Sequence, residues 1–210
     1  MADIEGRPFL EYVLEYLRHT GVGEVILSVG YKAEVIERHF GNGSSFGIGI
    51  RCLHEQEPLG TAGALRLALP FIGNRAFVLN GDTYVDVDLL ELLDLHLRAD
   101  AAVTLAAVEQ ENASRFGRLV VADDQLRSFE EKLPDASPGL INAGVYLFER
   151  RSIERIAPDR PSSLERDLLP ALIEAGETVA VHRHTGYFED IGVPESLSAF
   201  RSRIRAGRAS

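Results

Sequence analysis

Residues 24–54 read EVILSVGYKAEVIERHFGNGSSFGIGIRCLH, and their rhythm sets the fold class. Glu24 to Tyr31 is a short apolar run with the character of a buried strand, Ala33 to Phe40 reads as a helix closed by Gly41, and Ile48 to His54 reads as a second strand. The same alternation continues outward in both directions. Before it, Phe9, Leu10, Val13, Leu14 and Leu17 recur at helical spacing, with Pro8 where a first-turn proline is tolerated and Gly21 as a stop. After it come a helix at Thr61 to Leu69, a strand at Ala76 to Leu79, a helix at Asp88 to Leu97 that Asp88 can cap, and a strand at Ala101 to Val108. Strands this apolar, alternating with helices, predict an α/β, doubly wound, mostly parallel sheet covered by helices on both sides.

From Arg118 the rhythm changes. RLVVADDQLRSFEEK holds two strand-like runs around Asp123-Asp124, which predicts a small antiparallel hairpin inserted in the α/β core. Leu140 to Phe148 returns to a buried strand. Ser162 with Glu165 three residues later matches a capping box for the next helix, in which Pro170 is expected to cause a kink. A strand at Thr178 to Arg183 and a helix from Pro194 complete the pattern. No repeat, low-complexity tract or Pro/Ser-rich linker interrupts it, so a single domain over residues 1–200 is expected, followed by a basic tail, 201–210.

Composition narrows the partners. With 22 Lys+Arg against 32 Asp+Glu the net charge is −10, which weighs against nucleic acid or an anionic membrane as the main partner. The single cysteine, Cys52, excludes a disulfide framework and a Cys-based zinc site and suits a reducing compartment. No apolar run approaches the roughly 20 residues needed to span a bilayer, and no charged-then-apolar leader is present. A soluble, cytoplasmic protein is the expectation.

Four stretches at the ends of predicted strands are hard to explain by packing alone, and in parallel α/β sheets that edge is where ligands bind. In Glu55-Gln56-Glu57-Pro58-Leu59-Gly60-Thr61-Ala62-Gly63-Ala64, glycines let a flat base approach the backbone while a polar side chain reads its edge; a plain strand-to-helix loop capped by Thr61 fits equally. Leu79-Asn80-Gly81-Asp82-Thr83 ends a buried strand in an aspartate, a natural hard-oxygen ligand for Mg²⁺ on a phosphate, or simply a turn. Asp86 and Asp88 nearby read as loop and capping residues. Asn142 and Gly144 interrupt an apolar strand, as a bulge does or as an amide facing a sugar hydroxyl does. Asp190 precedes Gly192 and the helix-opening Pro194, where a cap is the commoner explanation.

The order of the set is more specific than any member. Glu55-x-Glu-Pro-Leu-Gly-Thr-Ala-Gly-Ala-Leu, Leu79-Asn-Gly-Asp-Thr, Arg115-Phe-Gly, Glu131-Lys132, Ile141-Asn-Ala-Gly-Val-Tyr and Asp190-Ile-Gly-x-Pro resemble the sugar-1-phosphate nucleotidyltransferases, or NDP-sugar pyrophosphorylases, from Gly6 to about Phe200. GRPFLEYVLEYL, LSVGYKAEVIERHFG, EPLGTAGALRLAL, NGDTYVDVDL and SLERDLLPAL are most similar to the D-glycero-D-manno-heptose 1-phosphate guanylyltransferases.

The resemblance implies a Rossmann-like nucleotide-diphospho-sugar transferase fold. It also implies attack of a sugar 1-phosphate on the α-phosphorus of a nucleoside triphosphate, chemistry that asks mainly for positioning and charge neutralisation. Asp82 and Asp190 match the family's Mg²⁺ carboxylates, and Glu55, Pro58, Gly60 and Thr61 lie in the base-reading loop. Gly117 and Asn142 match sugar contacts, Glu131 a sugar-hydroxyl acceptor, and Lys132 the cation beside the sugar phosphate. A carboxylate at Glu55 accepts from both N1–H and N2–H of guanine, whereas a pyrimidine edge suits an amide, so GTP is favoured; Gln56 and Glu57 leave the register open.

Here the family's Glu-Lys-Pro reads Glu131-Lys132-Leu133-Pro134. Its opening strand with a glycine-rich, arginine-bearing loop and the following Pro-Lys-Pro are not in these 210 residues. The expectation is that Met1 is an internal methionine of a longer natural chain. A sheet lacking that strand should show two unpaired strand edges, and these residues alone should have little pyrophosphorylase activity. Alternatives within the class are mannose 1-phosphate guanylyltransfer and uridylyltransfer to an amino-sugar phosphate; outside it stands a non-catalytic sugar-nucleotide-binding domain. A homo-oligomer is left open by the sequence.

Overall fold

A computed structural model of the protein describes residues 1–130, 137–158 and 160–208. Its elements begin with β1 (Asp3–Ile4), β2 (Arg7–Pro8), α1 (Phe9–His19), β3 (Glu24–Val29), α2 (Ala33–Phe40) and β4 (Gly49–His54). There follow α3 (Gly60–Ala68), β5 (Arg75–Leu79), β6 (Thr83–Val85), α4 (Leu89–Arg98) and β7 (Val103–Gln110). The chain continues through β8 (Arg118–Ala122), β9 (Gln125–Glu130), β10 (Gly139–Glu149) and α5 (Arg150–Glu154). It closes with α6 (Leu169–Glu174), β11 (Val179–His184), β12 (Phe188–Asp190) and α7 (Pro194–Arg208). Two units interleave along the chain. The first takes Met1–His54, Asn80–Asp86 and the residues from Tyr187 onward, and the second takes Glu55–Leu79 and Val87–Gly186.

In the first unit, β3 and β4 pair in parallel over their full six-residue length. Helix α1 buries Phe9, Tyr12, Val13, Leu14 and Leu17, the 3–4 spacing read in the sequence, with Glu11 in its first turn and Arg18 and His19 in its last. Pro8 stands one position before the helix, as its N-cap in extended conformation. Helix α7 extends through most of the basic segment that the sequence suggests as a tail. It is tied to the start of the chain by Arg201, whose Nε and Nη2 donate to the Asp3 carbonyl, and by the Arg205–Glu5 ion pair. Phe200 on this helix is 1% exposed and packs edge-on against Phe9 and Tyr12, with Tyr84 and Tyr187 on its other sides. Each such aromatic pair contributes about 0.5–1.5 kcal/mol beyond its buried area.

In the second unit a sheet has the order β5-β10-β7-β11-β9-β8. Ala101 to Val108 is buried without a break, and so are Ala143 to Phe148 of β10, which explains their near-uniform apolar sequence. The α/β class stands, with the predicted hairpin as β8 and β9. Strand direction is more mixed than the alternation suggests: β11 runs parallel to β7, but β10 is antiparallel to both β5 and β7. The reason is connectivity, since β10 follows the hairpin instead of a crossover helix. Among the described residues, β3 forms a ladder only with β4, and β5 only with β10.

Local caps correct the sequence reading in two places. Helix α3 starts at Gly60 with Leu59 as N-cap, so Thr61 lies inside the first turn and does not cap it. The capping box expected at Ser162 is displaced by one residue. Ser163 is the cap, its Oγ accepting from Arg166 N–H, and Glu165 is engaged elsewhere. Residues Leu164–Leu168 form a wide π-type turn before α6, the position at which Pro170, which has no N–H to donate to Arg166, breaks regular α spacing. Among the described residues no helix is long and apolar enough to cross a membrane.

Candidate functional site

In the first unit, the turn Asn80–Gly81 leads into β6, which pairs antiparallel with β12 so that Thr83 lies opposite Asp190. Asp82, one residue earlier, receives the Ile191 N–H on its backbone carbonyl at 2.9 Å. Asp190 thus ends one strand of this short ladder while Asp82, more than a hundred residues earlier in sequence, immediately precedes the other. Asp82 is exposed, its Oδ1 accepting from the Thr83 hydroxyl at 3.3 Å. Asp190 is half-buried, and its Oδ1 accepts from the Gly192 N–H at 2.7 Å. A Cβ at Gly192 would lie 2.8 Å from that oxygen, so the glycine leaves room for the carboxylate to fold back on its own turn. The Ser196 hydroxyl donates to the Asp190 carbonyl and fixes the start of α7 beneath it.

Tyr84 on β6 and Tyr187 beside β12 anchor the ladder to Phe200. Burial, helped by Asp86 and Glu189, pushes both hydroxyls above the usual phenol range, so they remain protonated donors. Asp86 and Asp88 have the structural roles expected of them. Asp86 Oδ1 accepts from Tyr187 N–H at 2.6 Å, and Asp88 caps α4 through Leu90 and Glu91. Among the described residues there is no cluster of three or more His, Cys, Asp or Glu able to hold a metal.

In the second unit, the Glu55–Thr61 loop is held from within and from a distant segment. Glu55 Oε2 accepts from Leu59 N–H at 3.0 Å. Gly60 adopts φ +72°, and a Cβ there would lie 2.5 Å from the Ser162 carbonyl, so only glycine fits. The Ser162 N–H donates to Leu59 O at 2.8 Å and its carbonyl accepts from Ala62 N–H at 2.9 Å, while Thr61 Oγ1 accepts from Leu164 N–H at 2.9 Å. Pro58 is exposed at the loop's outer side.

Asn142 sits on β10 at the register shift between Asn142 and Tyr146, where Gly144 takes φ +73°. The interruption read in the sequence is thus a bulge, and the bulge aims a polar group. Asn142 Oδ1 accepts from Gly144 N–H at 3.0 Å, and its Nδ2 donates to the Tyr146 hydroxyl. That hydroxyl, on a fully buried side chain, donates to Glu165 Oε1 at 2.7 Å. Burial and the adjacent Glu165 charge hold the phenol well above its ordinary range. Gly117 enters β8 with its α-carbon close to the Glu130 carbonyl, 3.3 Å from where a Cβ would stand. Glu131 and Lys132 lie outside the described residues. By local pattern Tyr146 is one residue of an apolar strand and Glu165 a capping-box partner; no periodicity connects positions 19 apart on different elements.

A family model described as Nucleotidyl transferase matches residues 2–206. The chain is 39% identical over 201 residues to a D-glycero-alpha-D-manno-heptose 1-phosphate guanylyltransferase of Campylobacter jejuni, covering 95% of this chain and 87% of that protein. It is 37% identical over 200 residues to a mannose-1-phosphate guanylyltransferase of Mycobacterium tuberculosis, spanning 94% of this chain but 56% of that relative's length. The crystal structure of HddC from Yersinia pseudotuberculosis complexed with GMP-PN superposes with a TM-score of 0.87 at 32% identity, covering 97% of this chain and 88% of that one.

Proposed function

Because the chain belongs to the nucleotidyl transferase family, we propose that it serves guanylyl transfer from GTP to D-glycero-D-manno-heptose 1-phosphate. In that reaction a phosphate oxygen of the sugar 1-phosphate forms a bond to the α-phosphorus of GTP, the bond from that phosphorus to the bridging oxygen of the β-phosphate breaks, and pyrophosphate leaves with the electron pair. What supports the reading is the backbone at β6–β12, where Asp190 lies opposite Thr83 and Ile191 N–H bonds the Asp82 carbonyl, in a chain similar along most of its length to heptose 1-phosphate guanylyltransferases.

The two aspartates fit a hard divalent cation on a triphosphate. Asp82 Oδ1 accepts from the Thr83 hydroxyl and Asp190 Oδ1 from the Gly192 N–H, and Mg²⁺ at phosphate sites takes one or two carboxylates and completes its shell from phosphate and water. Bound there, Mg²⁺ would offset the triphosphate charge and polarise the α-phosphate. The chain's own contribution is orientation: the ladder and the Gly192 amide fix the direction of the acids, and the aromatic cluster fixes the ladder.

Glu55 would read guanine from the loop containing Pro58, Gly60 and Thr61. Its bond to Leu59 N–H sets the carboxylate plane, and each of its oxygens keeps a lone pair able to accept from N1–H and N2–H. Gly117 and Asn142 would meet the sugar. By resemblance, Glu131 would accept from a sugar hydroxyl and Lys132 would face the sugar phosphate. The 37% identity to a mannose-1-phosphate guanylyltransferase supports mannose 1-phosphate as the second reading.

Calorimetric titration separates these readings. With Mg²⁺ present, GTP should bind at least tenfold more tightly than UTP or dTTP, and Glu55→Gln should erode that preference. GDP-heptose should bind more tightly than GDP-mannose. A preference for UTP would overturn the guanine assignment, and a preference for GDP-mannose would select the second reading.

A further inference from the structure

The segment Ser162–Glu165 touches both parts of the second unit to which ligand contacts are assigned. Toward the Glu55–Thr61 loop it offers the Ser162 backbone to Leu59 and Ala62, and the Leu164 N–H to the Thr61 hydroxyl. Toward β10 it offers Glu165, whose Oε1 accepts from Tyr146 at 2.7 Å and whose Oε2 accepts from the Ser163 hydroxyl at 3.0 Å. Tyr146 in turn receives the Asn142 amide. The result is one continuous series of bonds from the loop that carries Glu55 to the amide that carries Asn142. Its middle member, Tyr146, is fully buried and cannot exchange these partners for water.

Within the guanylyltransferase reading, on which this inference rests, we propose that Ser163, Glu165 and Tyr146 are positioning residues that fix the Asn142 amide toward the sugar of the sugar nucleotide. The chemistry supports this assignment. An Asn side chain can flip, exchanging an acceptor for two donors at little cost. Here both ends are committed: Oδ1 to the Gly144 N–H, and one Nδ2 hydrogen to a tyrosine hydroxyl that must accept because it donates its own proton to a carboxylate. The orientation is thereby fixed, leaving the second Nδ2 hydrogen to donate and the second Oδ1 lone pair to accept. Glu165 sets the sense of the whole series, because an ionised carboxylate only accepts.

The test uses the full chain with two probes, GMP and GDP-mannose, titrated in Mg²⁺ buffer, with thermal melting alongside. Tyr146→Phe keeps the buried ring and removes only the hydroxyl. It should weaken GDP-mannose binding about tenfold while changing GMP binding less than twofold. Glu165→Ala should do the same, and Glu165→Gln, which retains an oxygen able to accept from Tyr146, should restore most of the loss. Equal weakening of GMP and GDP-mannose in step with a lowered melting temperature would overturn the positioning role, because a merely structural contribution moves both. Unchanged GDP-mannose affinity in Tyr146→Phe would overturn it too. If the unsubstituted chain binds GMP but gains nothing from the sugar of either GDP-mannose or GDP-heptose, the sugar assignment and this inference fall and the guanine reading survives. If it binds neither probe, the functional reading fails and the inference fails with it.

Discussion

The β6–β12 ladder and the bulge of β10 both present residues that the sequence singles out, yet they hold those residues by different means. Asp82 and Asp190 are fixed through main-chain bonds: Ile191 N–H to the Asp82 carbonyl, Gly192 N–H to the Asp190 carboxylate, and Ser196 to the Asp190 carbonyl. Asn142 has such a bond too, from Gly144 N–H to its Oδ1, but its nitrogen is held through side chains, by a buried tyrosine that is itself bonded to a glutamate from another element. A carboxylate binding a cation keeps its function over a range of angles, and a short ladder is enough to deliver it. An amide that must present a donor on one side and an acceptor on the other needs its flip suppressed, and here a backbone donor on its oxygen and a directed side-chain acceptor on its nitrogen act together.

The largest expected effect tests the first half of this comparison. Asp190→Asn keeps an oxygen able to accept from Gly192 N–H, so the turn should survive with a nearly unchanged melting temperature. Affinity for GTP in Mg²⁺ should fall roughly 10- to 100-fold, the loss expected when a charged contact is removed. In EDTA the variant should bind GTP as well as the parent or better, since a negative charge near the triphosphate has gone. Equal affinity of the two proteins for Mg²⁺-GTP would break the idea that the ladder delivers a cation site.

An intermediate effect is expected in the second unit. Gly60→Ala forces an L-residue into φ +72° and drives a Cβ to 2.5 Å from the Ser162 carbonyl, so it should cost about 1–3 kcal/mol, equivalent to a melting shift of roughly 2–4 °C per kcal/mol. Calorimetric melting measures this directly. An unchanged melting temperature would mean that the loop and the Ser162–Glu165 segment are not tied as described.

The smallest effect concerns a buried polar group outside both regions. His96, 1% exposed, bonds Thr104 through Nδ1 and Glu149 through Nε2. Burial lowers its pKa and outweighs the opposing pull of Glu149; burial also lowers that of His182. Both folded values lie below the ordinary 6.5 of an unfolded chain. The associated stability is therefore fully present above about pH 6.5 and is lost as pH falls through the folded values. Melting temperatures recorded from pH 8 to 5 should decline, and His96→Gln should flatten the decline; an unaltered slope would remove His96 as a contributor.

Local patterns made most of the elements legible. The helix at Ala33–Phe40 appears with its predicted bounds, the hairpin turns at Asp123-Asp124, and Asp88 caps α4, because spacing, turn residues and caps act within a few positions. Strand direction was not legible, since β10, antiparallel to β5 and β7, is as apolar and buried as β7, which has a parallel neighbour in β11. The shift of the cap from Ser162 to Ser163 has the same origin. Two adjacent serines offer equivalent hydroxyls, but the Ser162 backbone is bonded to Leu59 and Ala62 and its hydroxyl donates to Asp167 Oδ2, which leaves Ser163 as the cap. In the candidate site, Asp82, Asp190 and Asn142 stood out as polar residues or strand breakers at strand ends. Tyr146 and Glu165 did not, because a tyrosine in an apolar strand and a glutamate after a serine each have an ordinary local explanation.

The sequence by itself determined where the chain is helical or extended, which residues interrupt that regularity, and the family to which their order corresponds. These depend on short-range sterics and on the apolar period, both properties of neighbouring residues. Tertiary structure alone decided that β12, ending at Asp190, pairs with the strand that follows Asp82, and that Glu165, instead of closing its own helix, holds Tyr146 against Asn142. Such pairings join residues far apart in the chain, and they form only when burial removes water as the alternative partner.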